Sequence, residues 1–151
     1  MTATYTVRRS TVSEMDPTVL YRLLQMRMDV FVVEQAAAYA DIDGRDAEPG
    51  AELVWAEEDG EILATLRILQ ERDASRIGRV ATARAARGRG IAADLMRRAV
   101  ERCLEARPTA PILIDAQSHL VDWYARFGFV VEGEPFVEDA IPHRRMRRPA
   151  A

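Results

Sequence analysis

The sequence predicts an α+β fold on a mixed sheet, and three observations predict it. A β-branched and apolar run, Ile77–Thr82, passes through a loop holding Gly88 and Gly90 into a helical pattern that opens at Ile91. Asp59-Gly60 stands between two alternating runs, the signal of an antiparallel hairpin. Pro111–Asp115 (PILID) is a short apolar run of the kind buried in a sheet. The predicted order is β, α, α, β, β, β, loop, α, β, α, β, β, which is not a regular βαβ alternation.

Each element has its own signal. Thr4–Val12 alternates and is rich in Thr and Val, so it reads as the first strand. Asp16-Pro17 starts a helix, because a carboxylate at the N-cap accepts from free N–H groups and the fixed φ of proline suits the first turn. Leu20, Leu23, Leu24, Arg27 and Met28 follow at helical spacing. Val30–Gln35 is apolar and reads as a short second helix. Ala36–Gly50 carries Asp41, Asp43, Gly44, Asp46, Pro49 and Gly50, so it reads as a loop, long enough to belong to the rim of a site. Leu53–Glu57 and Ile62–Leu69 flank the hairpin turn. Ile91, Leu95, Ala99 and Cys103 lie four apart, with Met96, Val100 and Leu104 beside them, so one apolar stripe runs to Ala106. Pro108 and Pro111 follow it. Ser118 as N-cap and Gly128 as C-cap bracket a helix over His119–Phe127. Phe129–Val131 and a segment near Met146 close the sheet.

The bulk properties bound the function. The 151 residues read as a single domain, 1–151, with 48% hydrophobic and 30% charged residues. No apolar run is long enough for a membrane helix, and MTATYTVRRS lacks the apolar core of a signal peptide, so a cytoplasmic protein with no membrane partner is expected. One cysteine, Cys103, excludes an intrachain disulfide framework and reads as a small core side chain. Net charge is −3, so nucleic acid is not an expected partner. All 21 positive side chains are arginine, which excludes a lysine Schiff base. Asp29–Glu61 holds eleven acids and a single base, Arg45. That stretch reads either as a solvated surface or as an acidic wall facing a basic substrate. Two distant histidines and one cysteine give no ligand spacing, so no metal is expected.

The strand–loop–helix has the form of a phosphate site. The first N–H groups of a helix lack intrahelical partners, its dipole favours an anion, and glycine lets a ligand approach. Arg84, Arg87 and Arg89 add positive charge. A Walker A loop requires lysine, and there is none. Gly88-x-Gly90-x-x-Ala93 fits a dinucleotide fingerprint, with Asp115 as a ribose-binding acid, but it follows an antiparallel hairpin in mid-chain and leaves 36 residues after Asp115 for further βαβ units.

Arg87-x-x-Gly90-x-Ala92 resembles the [RQ]-x-x-G-x-[GA] signature of the GNAT acetyltransferases, which bind acetyl-CoA. Downstream, Gln117 to Phe129 resembles the family's N-x-x-A-x-x-[LF]-Y-x-x-x-G-F hallmark. Tyr124, Gly128 and Phe129 match outright, with Gln117 in the usual Asn position and Leu120 in the usual Ala position. Leu20–Gln35, the Asp41/Asp43/Asp46 loop and the tail EDAIPHRRM extend the likeness to nearly the whole chain and look like the ElaA-like branch. Ala37-Ala38 stands where such relatives often have Cys-Pro. Arg27-x-x-Val30-Phe31-Val32-x-Glu34 also resembles a motif of acyl-homoserine-lactone synthases, which share the fold and are longer.

The resemblance implies the GNAT (acyl-CoA N-acyltransferase) fold. Its mixed central sheet has about six to seven strands, splayed at the cofactor site near Val80–Thr82 and flanked by helices. It implies acetyl-CoA as co-substrate and direct transfer to a small-molecule or peptide amine, with no metal, and a homodimer as the assembly seen in relatives. The implied cofactor contacts are Val80, Ala81 and Thr82 on the strand, Arg87, Gly88, Arg89, Gly90, Ile91 and Ala92 at the loop, and Gln117. Tyr124 is the implied acid for the departing thiolate, and a peptide N–H near Val80–Thr82 the oxyanion donor. Strand Arg76–Thr82 carries no carboxylate, so the base stays open among His119, His143, Glu34, a water relay or an amine arriving neutral. Arg27 and Glu34 are placed on the acceptor side, with Arg27 paired to the Asp41–Asp46 loop. A GNAT-like module that binds CoA without turnover remains the competing reading.

Overall fold

Asp16 follows a 3-10 turn, Val12–Glu14, and starts a helix because its carboxylate accepts from the N–H groups of Thr18 (2.9 Å) and Val19 (3.1 Å). That helix, α1 (Pro17–Met28), buries Leu23, Met26 and Arg27. The expected second helix is not separate. No cap divides it from α1, and Asp29–Glu34 continues as a π-helical turn closed by Gln35 N–H on the Val30 carbonyl (3.3 Å). The computed structural model describes residues 4–150.

The strands are β1 (Thr6–Ser10), β2 (Glu52–Glu58), β3 (Glu61–Gln70), β4 (Ser75–Thr82), β5 (Ile112–Gln117), β6 (Val130–Val131), β7 (Phe136–Glu138) and β8 (Ile141–Arg148). They form one sheet in the order β1-β2-β3-β4-β5-β8-β6, with β7 added to β8. All pairs are antiparallel except β4–β5. Asp59 and Gly60 both take positive φ in the β2–β3 turn, as their sequence predicts. The strand total exceeds expectation because β7 escapes notice. Its turn to β8 uses positive φ at Asp139 and Ala140, with no glycine to announce it.

Helix α2 (Ile91–Ala106) packs Ile91, Leu95, Met96, Ala99 and Cys103 against one face of the sheet, where Leu66, Ile68, Ile77 and Ile112 meet it. Burial pushes the Cys103 thiol up to about 11, which fits a core side chain. The expected His119–Phe127 helix is a 3-10 turn, Ser118–Leu120, followed by α3 (Val121–Ala125). Ser118 makes no cap, and the Leu120 backbone (φ −107°, ψ 5°) interrupts the helix between the two. Gly128 does take the left-handed turn (φ 91°) that ends it. On the opposite face, α1 and the π turn bury Leu23, Met26 and Phe31 against Leu53 and Trp55.

Candidate functional site

Strands β4 and β5 pair only at Ser75 with Ile112 and Arg76 with Leu113, and beyond that point they diverge. The split opens into a cleft of about 960 Å³. One extra residue in β4 sets how its backbone faces that cleft. Thr65 pairs with Ala81 and Arg67 with Gly78, so Arg79 and Val80 together stand opposite Leu66. Arg79 takes a left-handed φ of 50° within this bulge.

The bulge reverses the alternation of N–H groups. Ser75 donates toward the β5 side, to the Pro111 carbonyl (3.0 Å), whereas Ala83 donates toward β3, to the Leu63 carbonyl (2.8 Å). In an unbroken strand residues an even number apart point the same way. Counting back from Ala83, Val80 and Thr82 send their N–H groups to the open edge and Ala81 sends its own to β3. Of the three strand residues expected at the cofactor, Val80 and Thr82 therefore present donors. Ala81 lines the cleft, while its side chain packs with Leu53 and Trp55.

At the far end of β4 the chain turns into α2. Gly88 (φ 82°) and Gly90 (φ 74°) are left-handed, and a Cβ on either would project into open space. No N–H from residue 88 to residue 93 finds an acceptor among the described residues, and the first helical bond is Asp94 N–H to the Gly90 carbonyl (3.2 Å). A run of free donors at a helix N-terminus fits a phosphate. Ala92 lines the cleft beside it. The Ile91 side chain is buried under α2, so only its backbone is available to a ligand. Arg89 turns away to Glu58 (3.1 Å). Arg87 donates to the Thr82 carbonyl (3.3 Å) and pairs with Glu34 (2.7 Å) across the cleft mouth.

Tyr124 reaches the same cleft from α3 and is almost wholly buried. Burial pushes its phenol up to about 12, so it stays protonated at neutral pH. Its hydroxyl has no hydrogen-bond partner among the described residues, which leaves the proton free for a ligand atom. Trp123 packs edge-on at 4.9 Å between ring centres and fixes the ring's attitude. His119 is exposed on the cleft lining, and His143 lies half-buried there, its Nδ1 2.7 Å from the Ile141 carbonyl. The Gln117 amide donates to Gln35 Oε1 (3.4 Å) across the opening.

Arg27 is not brought to the cleft. It is fully buried, and pairs with Asp41 (3.1 Å) and Asp46 (2.6 Å), so the expected pairing holds and a direct contact with an acceptor does not. The acidic wall is corrected as well. Glu34, Asp41, Asp43, Asp46, Glu48, Glu52, Glu57 and Glu58 each face arginine, largely from beyond the acidic stretch. Charge segregated along the chain is cancelled in space. Glu34 lines the cleft, but its bond from Arg87 holds its carboxyl below the usual range and makes it a weak base. Among the described cleft acids only Glu138 and Asp139 lack an arginine partner. No three His, Cys, Asp or Glu side chains cluster as a metal site among the described residues.

A model of the acetyltransferase (GNAT) domain matches residues 19–149. The chain belongs to the GNAT family. A UPF0039 protein of Mycobacterium tuberculosis is 40% identical over 98% of this chain and 96% of its own length. Protein ElaA of Escherichia coli is 40% identical over 90% of this chain and 91% of its own, so the ElaA-like resemblance is real. The solved structure of that ElaA superimposes with a TM-score of 0.90, at 37% identity, over 95% of this chain and 99% of its own. An acyl-CoA N-acyltransferase structure from Pseudomonas aeruginosa does so with a TM-score of 0.91, at 38% identity, over 95% and 99%. At 14% identity, a GNAT acetyltransferase structure from Elizabethkingia anophelis with acetyl-CoA bound shares the fold (TM-score 0.69, 98% of this chain and 99% of its own). The acyl-homoserine-lactone synthase LasI, at 17% identity, shares the fold alone (TM-score 0.77, 95% and 88%).

Within this GNAT fold, Tyr39, Arg79, Glu138 and Asp139 also line the cleft, and no sequence motif assigns them a role there. Arg79 sits inside an ordinary strand pattern, and nothing in the local sequence marks its left-handed backbone. Tyr39 lies in a loop, where an aromatic between alanines was the available signal.

Proposed function

We propose that this GNAT protein moves the acetyl group of acetyl-CoA to a primary amine by direct attack within a ternary complex. The observation that carries the reading is one cleft with two ends. Free N–H groups at residues 88–93, bordered by the cleft-lining Arg87 and Ala92, suit a pyrophosphate, and an unpartnered, protonated Tyr124 hydroxyl lines the same cleft. The GNAT family uses acyl-CoA, and the acetyl-CoA-bound relative adds support for the acetyl group.

The chemistry follows from these groups. A neutral amine nitrogen forms a bond to the thioester carbon, and the carbonyl oxygen gains negative charge that the edge N–H groups of Val80 and Thr82 stabilise. The carbonyl re-forms as the C–S bond breaks, the sulfur takes the Tyr124 proton, the amine's surplus proton leaves to solvent or a cleft base, and the phenolate regains a proton from solvent. Holding both substrates in the cleft removes the need for a covalent enzyme intermediate. Gln117 and Ala92 would frame the cofactor arm, and among the described residues His119, Glu138 and Asp139 are titratable cleft side chains with no hydrogen-bond or ion-pair partner. Because most acids of that stretch pair with arginine, no preference for a polycationic acceptor follows from it.

A screen of primary amines with acetyl-CoA, read by thiol release and mass of the product, tests the reading. Acetylation of at least one amine supports it. Binding of acetyl-CoA without turnover on any amine favours the CoA-binding module, a reading supported by the absence of a carboxylate on β4.

A further inference from the structure

We infer that Arg79 is a positioning residue, whose side chain holds the β4 bulge and thereby turns the Val80 N–H toward the thioester carbonyl. The inference rests on the acetyl-transfer reading and adds a cause for its oxyanion donor. A left-handed backbone is strained at any residue with a Cβ, so something must hold Arg79 there. The holding groups all belong to the acceptor-side loop. The guanidinium pairs with Asp41 (3.0 Å) and Asp43 (3.1 Å), donates to the Asp41 carbonyl (3.2 Å), and lies 5.2 Å from the centre of the Tyr39 ring. Asp41 is held in turn by buried Arg27, and Asp43 by Arg67, which borders the bulge on β3.

The consequence for the backbone is a matter of parity. From Ser75, whose N–H points toward β5, an unbroken strand would turn the Val80 N–H toward β3 and pair it there. The extra residue turns it to the cleft instead. The loop that borders the acceptor thus fixes the donor that faces the cofactor.

The test separates side-chain anchoring from mere strand stability. Acetyl-CoA labelled with a heavy isotope at its carbonyl carbon is bound to wild type, Arg79→Ala and Arg79→Gly, and the thioester stretch is read by infrared difference spectroscopy beside kcat and KM. Wild type shifts the stretch to lower frequency than in free acetyl-CoA. Arg79→Ala, which keeps the strained Cβ and loses the anchor, loses most of that shift and roughly 10²-fold in kcat, with little change in KM for acetyl-CoA. Arg79→Gly relieves the strain and retains more of both, although glycine ordinarily weakens a strand more than alanine does. If Arg79→Ala fails to fold, Asp43→Asn takes its place and shows the same displacement in smaller measure. A wild-type shift and kcat in Arg79→Ala or Asp43→Asn, or Arg79→Gly falling below Arg79→Ala, overturns the inference alone. A wild type that binds no acetyl-CoA overturns the acetyl-transfer reading and this role with it, before any variant is made.

Discussion

The two walls of the cleft are built in opposite ways. The cofactor wall is backbone. Left-handed Gly88 and Gly90 and the open N–H groups at residues 88–93 are the groups proposed to hold the cofactor, and the arginines beside them are turned to Glu34 and Glu58. The wall proposed for the acceptor is backed by side chains. Arg27, Arg67 and Arg79 bind Asp41, Asp43 and Asp46 into a buried web that ties α1, the loop, β3 and β4 together. A backbone site tolerates change in its side chains and fails when φ is altered. A charge web weakens when one partner is removed, because the others stay buried with fewer counter-charges.

The comparison can be broken at several points. The largest expected effect lies where the walls meet. Tyr124→Phe lowers kcat by roughly 10²–10⁴-fold and leaves acetyl-CoA affinity unchanged, as measured on any amine the screen identifies. A loss of binding with kcat intact would instead make Tyr124 a packing residue. On the acceptor wall, Arg27→Ala leaves Asp41 with Arg79 alone and Asp46 with Arg67 alone, and costs roughly 3 kcal/mol in urea unfolding. A cost within the range of an exposed ion pair would show that the web is not a unit.

On the cofactor wall, Gly90→Ala strains φ and costs about 1 kcal/mol of stability. Its affinity for acetyl-CoA falls about tenfold or more, since the shift in backbone misdirects the donors. Calorimetry that finds wild-type affinity would remove the backbone cradle from the account. The smallest effect concerns pH. Burial opposes ionisation of Asp43, but bonds from Arg67 and from the Arg45 N–H outweigh it and hold the carboxyl below its usual range. Asp43 therefore adds stability at neutral pH that is lost as pH falls through the carboxylate range, below about 4. Asp43→Asn flattens that part of the profile, and an unchanged acid limb would assign it to other carboxylates.

The same contrast explains what could be read from the chain. The Asp16 cap, the Asp59-Gly60 hairpin, the α2 stripe and the glycine loop are local, and local sequence carries them. The ion-pair web is not local: the acids fall between residues 41 and 46, and their partners stand at 27, 67 and 79. Read along the chain, those acids resemble an uncompensated wall. The resemblance foresees only the Arg27 pairing, and folding adds Arg67 and Arg79. The Arg79 bulge and the β7–β8 turn were hidden for a related reason. Both use left-handed backbone at residues other than glycine, so the usual mark of positive φ is missing.

The most direct measurement is a calorimetric titration of the pure protein with acetyl-CoA. The account predicts saturable binding of one acetyl-CoA per chain below ~100 μM, weakened in Gly90→Ala and unchanged in Tyr124→Phe. No heat at ~100 μM acetyl-CoA would contradict the cofactor wall, and with it the acetyl-transfer reading.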